Sequence, residues 1–227
     1  YAVAIFIATG GFLAAQTLSA RGLGSESPGC LIRDRYFRLV MPFAVALLLV
    51  VVAMALAGQW MTHDSIGSPP TFKQILAHLG LLHGLLGFES LSAGVWYVAI
   101  DFQLYALLVL LLWLGAKLSR ERESEFSATL PLLLVALVSL FYFSRDTRWE
   151  DTAFYFFGIY ALGVGAGWAI RSGHRAEVLW VIAIVALLAV LVDFRPRIVL
   201  AALAALMLGC TRLHMTRVEM RSVHYLG

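Results

Sequence analysis

Val95-Trp-Tyr-Val-Ala-Ile-Asp101-Phe-Gln-Leu-Tyr105-Ala-Leu-Leu-Val-Leu110-Leu-Leu-Trp-Leu-Gly115 is an apolar run of 21 residues with one acid inside it. At about 1.5 Å per residue, a helix of that length crosses most of a hydrocarbon core of about 30 Å. A carboxylate near the middle of such a helix costs roughly 2.5–3.5 kcal/mol on insertion scales, so it needs a partner or a task. Tyr97, Asp101 and Tyr105 are spaced i, i+4, i+8 and lie along one helical face. Trp96 and Gln103, seven apart, share a second face roughly opposite. A helix with polar groups on two sides belongs inside a bundle, with neighbours rather than lipid on both.

The rest of the chain agrees. Of its 227 residues 61% are hydrophobic and only 14% charged, too few charges for a water-surrounded globule. Apolar runs recur at about 1–18, 39–57, 94–116, 128–143, 152–170, 177–193 and 198–210, without sustained alternation of period two. The expected fold is therefore all-α: a polytopic integral membrane bundle of about seven to eight membrane helices, with the lipid bilayer as its first partner. No linker, low-complexity stretch or internal repeat divides it, so 1–227 is read as one domain. The chain opens inside an apolar run and closes as another segment starts, and is expected to be an internal piece of a longer protein. Cys30 and Cys210 stand alone, giving neither a disulfide framework nor a metal-ligand spacing. The net charge of +3 is dispersed in short loops and does not form a nucleic-acid surface, so no nucleic-acid partner is expected.

Topology follows from the basic residues, of which only Lys73 and Lys117 are not arginine. The loop from Ser19 to Tyr36 is the most basic and belongs in the cytoplasm by the positive-inside rule. The loop at 58–71 has no Lys or Arg and belongs outside. Segment 72–88, with His78, His83 and three glycines, is the ambiguous one. If it does not cross, twelve basic residues lie inside against five outside; if it crosses, the split is eight against nine. Charge favours a re-entrant or interfacial segment. Gly163 and Gly167 form a G-x-x-x-G pair suited to close helix contact.

Three clusters stand out chemically. Arg33, Arg35 and Arg38 run into Pro42, which is expected in the first turn of the next helix. Those guanidiniums either anchor the chain at headgroups or hold the phosphates of a nucleotide-like cofactor. Asp101, with Trp96, Gln103 and Tyr105, either fixes helix register through tyrosine hydrogen bonds or orients a proton-transferring partner. His83, with Glu89 and His78, is either hydrated at the interface, as is His63, or contacts substrate. No nucleophile elbow, phosphate-cradling glycine loop or zinc-binding spacing occurs.

Together these stretches resemble the membrane acyltransferase-3 family, whose members O-acylate sugars and other acceptors from acyl-CoA. The resemblance rests on Phe6-Ile-Ala-Thr-Gly10-Gly11-Phe12-Leu13, on Arg35-Tyr-Phe-Arg38-Leu-Val-Met-Pro42, and on Trp96-Tyr-Val-Ala-Ile-Asp101-Phe-Gln103-Leu-Tyr105, in family order. Gly10 stands where Ser is usual and Asp101 where Glu is usual. The resemblance implies a bacterial inner-membrane, multi-pass enzyme moving an acyl group, acetyl foremost, from cytoplasmic acyl-CoA to a hydroxyl of a sugar or envelope glycan. It implies no permanently bound cofactor and no metal. Arg33, Arg35 and Arg38 would meet the CoA phosphates. Asp101, Gln103, Tyr105 and Trp96 would form the catalytic group, and His83, Glu89 and Tyr97 would contact the acceptor. The family's catalytic histidine falls in a helix upstream of Tyr1, and the family's count of about ten helices would make 72–88 a crossing, against the charge balance. The competing class is a transporter or flippase in which Asp101 and the tyrosines bind a polyol, glycan or lipid-linked cargo. A third is a non-catalytic membrane scaffold.

Overall fold

The computed structural model describes residues 2–21, 27–60, 70–92, 94–122 and 126–211, with side chains throughout except at 120–122 and 126–128. Among them are eight α-helices and no strand: α1 (Ala2–Arg21), α2 (Pro28–Trp60), α3 (Phe72–Leu79), α4 (Val95–Arg122), α5 (Phe126–Phe141), α6 (Ala153–Arg171), α7 (Arg175–Val192) and α8 (Pro196–Cys210). Five of them, α1, α2, α4, α6 and α7, are long and apolar enough to cross a membrane, and shorter apolar helices lie within Thr129–Arg145 and Pro196–Cys210. The expected helical membrane bundle is what the chain forms.

Helix α6 is its axis. It packs on α1, α5, α7, α8 and α4, and most of its side chains are buried, including Phe157, Tyr160 and Val164. The close partner is α1, which runs parallel to it. A Cβ on Gly163 would overlap the Ala8 carbonyl, one on Gly11 would overlap the Tyr160 carbonyl, and one on Gly167 would lie 2.8 Å from Ala15 Cβ. Bare glycine at these three positions is what lets the two backbones touch. Gln16 adds a polar tie, its Nε2 donating to the Gly167 carbonyl at 3.0 Å. Between α5 and α6, the Ser139 hydroxyl donates to Phe154 O and accepts from Gly158 N at 2.7 Å.

Two expectations need correction. The arginine stretch is not a loop: α2 starts at Pro28, so Arg33, Arg35 and Arg38 are helical and Pro42 is an interior residue rather than a first-turn one. Polar residues before an apolar run look like a connection, yet a helix needs only its backbone bonds to extend through them. The other correction concerns histidines. His78 and His83 are buried, at 0% and 1% exposure, rather than hydrated at the interface. His63 and most of the 58–71 loop lie outside the described residues.

Segment 72–88 is no crossing helix. Its helical part, α3, has 8 residues, about 12 Å of rise, and turns follow it up to α4. It dips back into the bundle, where Leu81 packs fully buried with Phe43, Leu47, Val95 and Ala99. That agrees with the charge count. Irregular backbone packed inside the protein must find polar partners there, and side chains supply them. The Tyr36 hydroxyl donates to Leu79 O at 3.0 Å and Gln103 Nε2 donates to Leu81 O at 3.0 Å. Gln74 Nε2 donates to Glu89 O at 3.1 Å, and Leu91 N donates to His78 Nε2 at 3.3 Å. Leu81 itself has φ 56°, a left-handed conformation uncommon for a residue with a side chain.

The α1–α6 contact gives a direct test. Gly11→Leu should lower the thermal midpoint of the detergent-solubilised protein by the equivalent of about 2 kcal/mol or more, as overpacking does. Gly29→Leu, where an added Cβ meets nothing within 4 Å, should leave it nearly unchanged.

Candidate functional site

Asp101 is 9% exposed and sits where α1, α2, α4 and α6 meet. Its Oδ2 accepts from Arg35 Nη2 at 2.8 Å, an ion pair joining residues 66 apart in sequence. The guanidinium carbon of Arg35 lies 5.2 Å from the centroid of the Tyr105 ring, within cation–π range. The other carboxylate oxygen faces α1. A Cβ at Gly10 would stand 3.1 Å from Asp101 Oδ1 and 3.7 Å from Tyr160 Cε2, so Gly10, Asp101 and Tyr160 close around one point. Tyr160 is fully buried, and its hydroxyl has no hydrogen-bond partner among the described residues. Tyr97, one turn before Asp101, packs edge-on against Phe6 of α1.

The opposite face of α4 does something different. Trp96, Ala99, Ile100 and Gln103 wall a cavity of about 320 Å³, closed by residues 83–90 of the re-entrant segment and by Glu150 and Asp151 ahead of α6. Four of the expected site residues, Trp96, Gln103, His83 and Glu89, meet there. The two-face pattern of α4 is thus realised, but it separates what was expected to be one catalytic group. Asp101 and Tyr105 are on one side of the helix, Trp96 and Gln103 on the other, since residues two apart on a helix point about 200° apart.

The arginines also divide. Arg35 turns inward to Asp101. Arg33 is exposed and pairs with its neighbour Asp34 at 3.4 Å, Arg21 of α1 approaches the same carboxylate at 3.6 Å, and Arg38 Nε donates to Asp34 O at 3.2 Å. This basic group lies at the C-terminal end of α1. The cavity lies at the other end, beside the first turns of α4 and α6, because α1 runs parallel to both: Phe6 meets Tyr97, Gly10 meets Asp101, and Ala8 and Ala15 meet Gly163 and Gly167.

His78 and His83 stack face to face, with ring centroids 4.1 Å apart and planes 6° apart. His78 is held at both nitrogens: Nδ1 is 2.7 Å from Gln74 O, and Nε2 accepts from Leu91 N. His83 Nε2 is 3.1 Å from Ser90 Oγ, and its Nδ1 has no partner among the described residues. Burial pushes the His83 imidazole down to about 4, helped by the neighbouring His78 and opposed by the Asp151 carboxylate. Burial lowers His78 as well, against its bond to Gln74 O. Among the described residues no group of three His, Cys, Asp or Glu side chains is arranged to hold a metal ion.

Sequence reasoning missed Tyr160, Gly10's contact with the carboxylate, Glu150 and Asp151. Tyr160 lies three residues before Gly163, so the small-residue seam was the available clue to a tyrosine pressed on α1.

The model of the acyltransferase-3 family, described as an acyltransferase domain, matches residues 1–221. No curated protein and no solved structure matches the chain.

Because folding favours neutral imidazoles here, the unfolded chain takes up protons first as pH falls from about 6.5 towards 4. Thermal stability should be flat above about pH 7 and fall across that window. His83→Asn should reduce the fall, whereas an equally steep profile in the variant would show that His83 is not its source.

Proposed function

The chain belongs to the acyltransferase-3 family, and from that premise we propose that this multi-pass membrane protein transfers an acyl group, acetyl foremost, from acyl-CoA to a hydroxyl of a sugar or envelope glycan. The observation that carries this reading is the Arg35–Asp101 pair, buried at 2.8 Å inside the bundle. A charged pair kept from water costs desolvation that packed apolar side chains would avoid, so its retention speaks for a task beyond holding helices together.

In this reading the two ends of the bundle divide the substrates. The basic end, with Arg21, Arg33 and Arg38, faces the cytoplasm by the positive-inside count and meets the CoA phosphates. Guanidinium forks suit phosphate oxygens. The end bearing the cavity faces the opposite side and receives the acceptor. A bacterial inner membrane fits a cytoplasmic donor and an envelope acceptor.

Chemically, the acceptor oxygen attacks the thioester carbonyl, the new ester C–O bond forms, the C–S bond breaks, and the CoA sulfur leaves as thiol. The acceptor hydroxyl's proton must go to a base as the oxygen attacks. Asp101 Oδ2 is held by Arg35, which leaves Oδ1, beside Gly10 and Tyr160, to orient that base. Tyr105 steadies the guanidinium through its ring face. Gln103 has a supporting role here: its amide donor is committed to Leu81 O and so fixes the cavity wall.

Asp101→Asn keeps the size and loses the charge. It should lower acyl transfer from labelled acyl-CoA by about 100-fold or more, the scale of a lost acid–base contribution, measured per folded protein because the variant inserts in the membrane with reduced thermal stability. Undiminished transfer in that variant would remove Asp101 from the mechanism.

A further inference from the structure

The cavity beside α4 is lined with hydrogen-bond acceptors. Three carboxylates line it, Glu89, Glu150 and Asp151, and no Lys or Arg does. Gln103 spends one Nε2 hydrogen on Leu81 O, and its amide keeps an acceptor oxygen and a second N–H. His83, 1% exposed, lines the same wall; one ring nitrogen meets Ser90 Oγ and the other has no partner among the described residues. In the tautomer whose Nε2–H donates to Ser90, Nδ1 is an acceptor; in the other it carries the hydrogen. The side-chain donors are few: the Trp96 indole N–H, the Ser90 hydroxyl and the second N–H of Gln103. Trp96 and Phe88 add aromatic surface, and at about 320 Å³ the space is at the lower end of small-molecule sites.

Such a lining rejects ligands that bring acceptors and negative charge, and rewards those that bring hydrogen-bond donors. We infer that this cavity binds a pyranose-sized, hydroxyl-rich unit of the acceptor that carries no phosphate or carboxylate, and that an amino group on that unit strengthens binding. This deepens the acyltransferase reading and rests on it for the word acceptor. The polyol site itself rests on the cavity alone. A carboxylated or phosphorylated unit would bring its charge against Glu89, Glu150 and Asp151 with no cation lining the cavity to offset it. An ammonium would find three carboxylates within one small space, and the ring hydroxyls would find the Gln103 amide and the Ser90 hydroxyl.

The test measures binding of three matched probes to the detergent-solubilised full chain by calorimetry: a neutral methyl hexopyranoside, the corresponding amino sugar and the corresponding uronic acid. The expected order is amino sugar, then neutral sugar, then uronic acid, with about tenfold between the extremes from several partly screened charge contacts. In the double variant Glu150→Gln, Asp151→Asn that spread should shrink to about threefold or less. Both side chains are exposed, and Glu89→Gln gives an independent second variant with the same expected direction. Uronic acid binding as tightly as the amino sugar, an unchanged spread in both variants, or no binding of any probe would overturn the inference. Acyl transfer from acyl-CoA to a small polyol is measured on the same preparation. Its loss with the binding order intact would count against the acyltransferase reading, and its presence without the order against this one.

Discussion

A carboxylate taken out of water must be given a counter-charge or lose its own charge, and the centre of this bundle is arranged around that requirement. Asp101 receives Arg35 at 2.8 Å. The guanidinium is flanked by the Tyr105 ring, and the far side of the carboxylate rests against Gly10 of α1. Removing one partner of such a pair leaves an uncompensated buried charge, which costs about 3–5 kcal/mol. Four helices are therefore tied to one another through a single contact: α4 carries the acid, α2 the base, and α1 and α6 the wall. The glycine seam between α1 and α6 is part of the same construction. Close approach of those backbones brings Gly10 and Tyr160 together, and a side chain at Gly10 would press on Asp101 Oδ1 at 3.1 Å.

The re-entrant segment solves a second problem with the same means. Backbone that is not helical exposes N–H and C=O groups, and deep in a membrane protein they have no water to turn to. Tyr36, Gln74, His78 and Gln103 each satisfy a main-chain group of residues 79–91. Leaving any of those groups bare would cost about 1–3 kcal/mol. His78 and Gln103 look like site residues in the sequence because polar groups in apolar surroundings always do. Both turn out to hold up the wall of a cavity, and the groups free to meet a ligand are their neighbours His83, Glu89, Glu150 and Asp151.

What the sequence made legible was what periodicity controls. The two polar faces of α4 follow from spacing alone, and both are used, one for Asp101 and Tyr105 and the other for Trp96 and Gln103. The apolar runs located the helices, and the Gly163–Gly167 spacing foretold a close contact. What periodicity does not control stayed hidden. Arg35 has two neighbouring arginines, Arg33 and Arg38, as rivals, and nothing local marks the one whose register on α2 meets a residue 66 positions away. The start of α2 was placed too late because charged residues resemble a loop when their helical partners are unknown. Between hydration at the interface and contact with substrate, the sequence does not choose for His78 and His83, since their burial depends on a segment folding back rather than on the residues themselves. Glu150 and Asp151 read as loop acids until the fold carried them to the cavity.

The account depends on Asp101 and Arg35 acting as one unit. A double-mutant cycle on thermal stability in detergent, using Asp101→Asn, Arg35→Gln and the pair together, measures that coupling directly. The expected result is strong non-additivity: each single change costs stability by stranding a charge, and the double recovers a large part of the loss, with a coupling of about 1–3 kcal/mol. Additive costs in the double variant would mean that the two side chains do not depend on each other, and the central contact described above would be wrong.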